Sequence, residues 1–280
     1  MRCLACGQGM DPINAEYGTH PACDMNLLPV EDADEVDPFT TLLKSQIIEM
    51  VKWADRQHPR SQQVMIGPSE IGTLCDRRIG YRLAQIPACN TDFDPWASIV
   101  GTAIHSWLES AVSSYMSSHG EHNWRTESKL KINEFVQGHA DLYSKEHKSV
   151  IDYKTVGPDV MRKIRKDGPP LGYQIQAHVY GYGFEQEGNP VERVCLVFLP
   201  RAGWIKDMYV WCAYYSQELA VTALDRLQVI AQQILDLNIL TYPDKWKDLE
   251  AVPSNDCAWC PHYDPGRGDL PADNTGCPGR

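Results

Sequence analysis

Residues 138–155 read GHADLYSKEHKSVIDYKT. Two short alternating runs flank the polar segment SKEHKS, the pattern of two strands joined by a turn near Glu146 and His147. Strand side chains alternate between faces, so Asp152 and Lys154 share one face while Ile151 and Tyr153 point to the other. A turn at that position sets Asp141 across from Asp152. Two carboxylates so placed repel one another unless a cation joins them. Hard oxygen donors in a small cluster suit Mg²⁺ or Mn²⁺. Lys154 cannot ligate a metal, but it can hold a water or a phosphate oxygen beside one. The constellation fits metal-assisted attack of water on a phosphodiester. The plain alternative is a surface hairpin whose Asp152 and Lys154 form a weak ion pair.

Outward from this hairpin the chain alternates helical and strand patterns. Residues 41–58 have apolar positions at helical spacing. A helix is expected from an N-cap at Ser69 through Gln85, with Pro87 just beyond its end. Residues 95–118 predict a longer, more buried helix opened by Pro95. Strands are expected at 124–134, 137–144 and 149–155. A helix over YQIQAHVYGYGFEQ follows, then a hairpin turning at RAGW (201–204), then a long amphipathic helix over 216–238. This order implies an α/β layered domain with a mixed sheet flanked by helices.

The 280 residues carry a net charge of −11. Residues 1–40 hold one basic and eight acidic side chains, and residues 244–280 hold four basic and seven acidic, so the body between them is nearly neutral. Within that body, MRKIRK (161–166) is a basic cluster able to meet phosphates, or simply a solvated face. No run of about 18 apolar residues offers a membrane span. The N-terminus has no basic-then-apolar leader, so a cytoplasmic protein is expected.

Ten cysteines in such a chain point to metal ligation rather than disulfides. Cys3, Cys6, His20 and Cys23 have the spacing C-x2-C-x13-H-x2-C, which closes a tetrahedron around Zn²⁺. A zinc module over 1–30, an acidic linker over 31–40 and a main domain over 41–280 follow from this pattern. Cys75 stands alone in SEIGTLCDRRIGYRLA, whereas Cys257, Cys260 and Cys277 lie in a Pro/Gly/Asp-rich tail that cannot fold on apolar burial. Four thiolates there suit a [4Fe–4S] cluster or zinc, with His262 as an alternative ligand. Cys195 and Cys212 lie in apolar strand-like runs and read as small core residues. No function is assigned to them or to Cys89.

The ordered motifs resemble the PD-(D/E)XK nuclease superfamily, and within it the RecB-like iron–sulfur exonucleases, a branch that includes AddB-type helicase-nucleases, CRISPR-associated Cas-four-type exonucleases and related phage proteins. GTAIHSWLE resembles their G-x-x-x-H-x-x-L-E helix, with Gly101, His105 and Glu109. GHADLY and VIDYKT resemble their second and third motifs, and QAHVY the Q-x-x-x-Y helix. Cys75 precedes the His helix in a C-x-R-x-x-Y context, and three cysteines follow the last helix, as in iron–sulfur members. The resemblance implies a restriction-endonuclease-like core. It implies catalysis by Asp141, Asp152, Lys154 and His105, with Mg²⁺ or Mn²⁺ on His105, Asp141, Asp152 and the Tyr153 carbonyl. Gln176 and Tyr180 would line the strand path, Glu109 and Glu127 would be secondary acidic groups, and the cysteine cluster would staple the tail. It departs from the family in the sixteen residues between Cys260 and Cys277 and in the zinc module, which the shared pattern lacks.

The function so implied is a metal-dependent DNA exonuclease acting on single strands or DNA ends, in recombination, repair or phage DNA processing. Recombination or replication proteins and further copies of the chain are the partners such enzymes take. The rival readings are a structure-specific endonuclease of the same fold and a non-enzymatic DNA-binding scaffold.

Overall fold

The hairpin at 138–155 forms the middle of a five-stranded sheet. In the computed structural model, residues 38–57, 65–92, 94–266 and 276–279 are described. β2 (Gln137–Ser144) and β3 (Ser149–Val156) run antiparallel, pairing Ser144 with Ser149 and Leu142 with Ile151. The backbone N–H of Glu146 donates to Asn123 Oδ1 and that of His147 to Ser144 Oγ, so the turn closes where the sequence places it. β1 (Trp124–Lys131) pairs antiparallel with β2. β4 (Arg193–Pro200) lies parallel to β3, and β5 (Tyr209–Tyr214) antiparallel to β4, giving the order β1-β2-β3-β4-β5. The parallel β3–β4 pair needs a crossover. Helices α5 (Pro158–Asp167) and α6 (Leu171–Gln186) supply it.

Period-two burial fixes which face is the core. Val150, Asp152 and Val156 on β3 are buried, as are Val194, Leu196 and Phe198 on β4. α6 covers them. It is buried almost all round, from Ile175 to Phe184, because the sheet lies on one side and helix α7 (Gln217–Asp236) on the other. Ser216 caps α7 by accepting from Leu219 N, and its own N–H donates to His178 Nδ1 on α6 at 3.0 Å.

Three expectations are corrected. The helix expected from Ser69 to Gln85 is two pieces, a single turn α2 (Pro68–Ile71) and α3 (Asp76–Leu83). Its N-cap is Gly67, whose N–H donates to Glu70. The break falls at Gly72, which packs backbone to backbone on Gly172: a Cβ there would lie 2.4 Å from Gly172 Cα. The helix at 95–118 exists as α4 (Trp96–His119) but has no buried residue; Trp107 and Tyr115 are exposed. Its apolar residues cover only part of the sheet instead of filling a core. Cys195 and Cys212, read as core residues, are paired across β4 and β5 and form a disulfide. Directly opposed antiparallel positions bring their sulfurs together.

The chain divides into two units, Met1–Ala54 and Asp55–Arg280. In the first, helix α1 (Pro38–Gln57) begins, with no buried side chain. Cys3, Cys6, His20 and Cys23, expected to hold zinc, and the acidic run 31–37 lie outside the described residues. No helix among the described residues is long and apolar enough to cross a membrane.

Candidate active site

The β2–β3 ladder stops at Leu142–Ile151, one step before Asp141 and Asp152 would pair. There a side chain replaces the ladder: Tyr153 N–H donates to Asp141 Oδ2 at 2.7 Å. The two carboxylates face one another where the strands part, as the turn position requires.

His105 arrives from α4. Gly101, one turn earlier, is where the helix meets β3, since a Cβ there would sit 3.3 Å from Thr155 Oγ1. The glycine lets the helix approach, and His105 Nδ1 then lies 3.0 Å from Asp141 Oδ1. Burial is the largest influence on the imidazole and lowers its pKa. The hydrogen bond and charge of Asp141, with the charge of Asp152, together outweigh it, so His105 sits above its ordinary value.

Glu127 completes the group. β1 pairs Thr126 with Leu142 and Ser128 with Ala140, which leaves Glu127 opposite Asp141. Its φ is +41°, a left-handed conformation that a non-glycine residue adopts at a cost. Ligand atoms of His105, Glu127 and Asp141 lie within 4.8 Å of one another, the spacing of a cation site. The sequence ranks Glu127 only as secondary. An acidic residue on an edge strand carries no motif, and the backbone distortion that aims it is invisible in one-dimensional pattern. Glu109, one turn beyond His105 on α4, is not in this group.

Asp152 sits behind it, 2% exposed. Its Oδ1 accepts from Gln176 Nε2 at 3.0 Å, and its Oδ2 is ion-paired with Lys154 Nζ at 2.5 Å. Lys154 Nζ donates instead to Gln176 Oε1 at 2.8 Å and stands 5.0 Å above the Tyr173 ring. Burial pushes Asp152 up to about 6 against the downward pull of the Lys154 ammonium. The oxygen and nitrogen donors of His105, Glu127 and Asp141, grouped beside the Asp152–Lys154 ion pair, fit a divalent cation. Gln176 and Tyr180, expected along the strand path, are each 5% exposed. Gln176 spans Lys154 and Asp152, and Tyr180 packs where Gly138 leaves room, since a Cβ at Gly138 would come 3.2 Å from its hydroxyl.

The four tail-associated cysteines share one cavity. Cys75, Cys257, Cys260 and Cys277 line one cavity of about 660 Å³. The tail returns to it through a β-bridge between Tyr263 and Cys277. Buried Arg77 donates to the carbonyls of Trp246 and Leu249, and its Nη1 lies 3.7 Å from Cys277 Sγ. Burial raises the Cys260 thiol pKa. His262 does not line the cavity; it is 2% exposed with its ring centroid 4.9 Å from that of Tyr81.

No family model matches the sequence, and neither does any curated protein. Solved structures similar to it include the protein SSO0001, at 18% identity over 78% of this chain and 93% of the other, with a TM-score of 0.43. An alkaline exonuclease from Laribacter hongkongensis shows 11% identity over 64% of this chain and 91% of its own, TM-score 0.45. A phage-related exonuclease from Haemophilus somnus 129PT shows 16% identity over 59% and 80%, TM-score 0.39.

Proposed function

We propose that the protein is a metal-dependent deoxyribonuclease of the PD-(D/E)XK type, hydrolysing phosphodiester bonds from DNA ends or in single strands. One observation carries this reading: His105, Glu127 and Asp141 converge at cation spacing beside the Asp152–Lys154 pair. Asp141, Glu127 and His105 would hold Mg²⁺ or Mn²⁺, with Asp152 and the Tyr153 carbonyl completing the shell. A cation bound there supplies Lewis acidity and lowers the pKa of its water. Lys154 holds the attacking water and takes part in its deprotonation. Gln176 is a positioning residue that keeps the ammonium over Asp152 while the site is being loaded.

The reading extends to the cysteine cavity: Cys75, Cys257, Cys260 and Cys277 all line it, and the Arg77 guanidinium beside Cys277 favours negative charge there, which suits a thiolate-bound metal group. Such a group would be structural. It would be a [4Fe–4S] cluster or zinc, and visible absorption with iron and zinc analysis of anaerobically purified protein separates the two.

The test uses end-labelled single-stranded DNA and closed circular DNA, with Mg²⁺, Mn²⁺ or EDTA, and the wild type beside Lys154→Ala. Metal-dependent shortening from one end, lost in the variant, supports the exonuclease. Cutting of the circle shows an endonuclease. DNA bound but never cut returns the scaffold reading.

A further inference from the structure

The β4–β5 hairpin tip rises from the same end of the sheet as the catalytic strand. In the parallel ladder Lys154 pairs with Phe198 and Val156 with Pro200. Arg201 then fastens the tip to β3, its N–H donating to Val156 O at 2.9 Å and its Nη2 to Thr155 O at 3.3 Å. By strand rise this attachment is about 7 Å from Lys154. α5 leaves β3 at the same point, after Gly157, and Arg165 Nη2 donates to Asp207 O at 2.6 Å, so helix and tip are joined.

Their chemistry is distinctive. Arg162, Lys163, Arg165 and Lys166 all face solvent on α5, against Asp159 and Asp167, in a chain whose net charge is −11. Arg162 is ion-paired with Asp159. All of residues 201–208 are exposed; Trp204 is 72% exposed and Ile205 67%, with Lys206 Nζ 5.9 Å from the Trp204 ring. Met161 and Ile164 alone anchor α5 in the core. A large aromatic left in water beside a cation, on a tip fastened to the strand that carries Lys154, is the composition of a stacking platform.

We propose that the hairpin tip and the outer face of α5 form a cradle for single-stranded DNA, with Trp204 stacking on an unpaired base and Lys163, Lys166, Arg162 and Lys206 meeting phosphates. This rests on the nuclease reading and adds a substrate preference to it. In a duplex every base but those of the terminal pairs is stacked on both faces, so the indole finds a free face throughout an unpaired strand and only at the ends of a duplex. The chain's acidity lies mostly in residues 1–40 and 244–280, so in the nearly neutral body this cationic cluster stands out as a guide for the strand toward Lys154.

The experiment measures fluorescence anisotropy of labelled oligothymidine and of a blunt duplex, in EDTA over a salt series. The proteins are wild type, Trp204→Ala, Trp204→Phe, Lys163→Glu/Lys166→Glu, and a matched charge control, Lys145→Glu/Lys148→Glu, in the β2–β3 turn at the opposite end of the sheet. Thermal melts confirm that each variant folds. Trp204→Ala should weaken oligothymidine binding at least about fivefold, with Trp204→Phe retaining most of it and the duplex little changed. Lys163→Glu/Lys166→Glu should lower the salt slope by about 1 to 1.5, and the control should bind as wild type. Wild-type affinity in Trp204→Ala, or equal losses on duplex and single strand, overturns the proposal. Hydrolysis of the small ester thymidine 5′-(p-nitrophenyl phosphate) by wild type reports the metal centre separately. Ester cleavage with unaffected DNA binding sinks the cradle and leaves the nuclease. Variant-sensitive binding without ester cleavage supports the cradle and sinks the nuclease.

Discussion

Gln176 holds Lys154 and Asp152 at once, its Oε1 accepting from the ammonium at 2.8 Å and its Nε2 donating to the carboxylate at 3.0 Å. A side chain that touches both partners of an ion pair fixes their separation more firmly than either does alone. Gln176→Leu leaves buried Asp152 and half-buried Lys154 each short of a hydrogen bond worth about 1.5–3 kcal/mol. Single-turnover cleavage should fall about 10- to 100-fold, the rate equivalent of losing one of the two bonds in the transition state. Mn²⁺ affinity, read by calorimetry, should change less than the rate, because Asp152 is the one proposed ligand that Gln176 touches and His105, Glu127 and Asp141 keep their places.

The strained conformation of Glu127 is retained because it aims a carboxylate at Asp141 and His105. Glu127→Gln should weaken Mn²⁺ binding about 10- to 100-fold, while Glu109→Gln should weaken it less. Glu127→Gly should lose the metal affinity yet melt no lower than Glu127→Gln, since glycine relieves the positive φ. Equal calorimetric losses at 109 and 127 would reverse this ranking.

His178 accepts from Ser216 N–H, so it must be neutral in the folded protein. Burial lowers its pKa below the ordinary 6.5. The unfolded chain therefore takes up the proton first. Stability is fully present above about 6.5 and is lost as pH falls below it. Melting temperature against pH should show this acid slope in wild type and a shallower one in His178→Asn, whose amide oxygen accepts without titrating.

Arg77 is buried with its guanidinium against the Trp246 and Leu249 carbonyls and the Cys277 sulfur. Arg77→Met should lower stability in urea by about 2–3 kcal/mol, since those acceptors lose a charged donor. Cys257→Ser should make the tail beyond residue 250 susceptible to limited proteolysis while the core peptide persists. An equally resistant tail would show that the thiols do not hold it.

Much of the sheet is legible in sequence because period-two patterning is local. Asp152 and Lys154 share a face simply because they are two residues apart, and the 3.0–2.5 Å contacts around Asp152 bear that out. The spacing of Asp141 follows from the turn. The break between α2 and α3 is not local: Gly72 turns because Gly172, a hundred residues on, occupies the space a continued helix would need. α4 reads as buried from its apolar content, yet burial depends on what lies opposite, and Trp107 has nothing there among the described residues to cover it. Cys195 and Cys212 are seventeen residues apart, and only the β4–β5 register sets them face to face.

The contact between Gly72 and Gly172 has a mechanical corollary. Both glycines line the cysteine cavity, as does Tyr173, over whose ring the Lys154 ammonium stands. α6 begins beside them and carries Gln176 one turn further on. The wall of the thiol chamber and the seat of Lys154 are thus one continuous strip of chain, pivoted on a joint with no side chains to cushion it. A single methyl group added at residue 72 would wedge that joint open and be felt at both ends, as lost tail order and as a displaced Lys154.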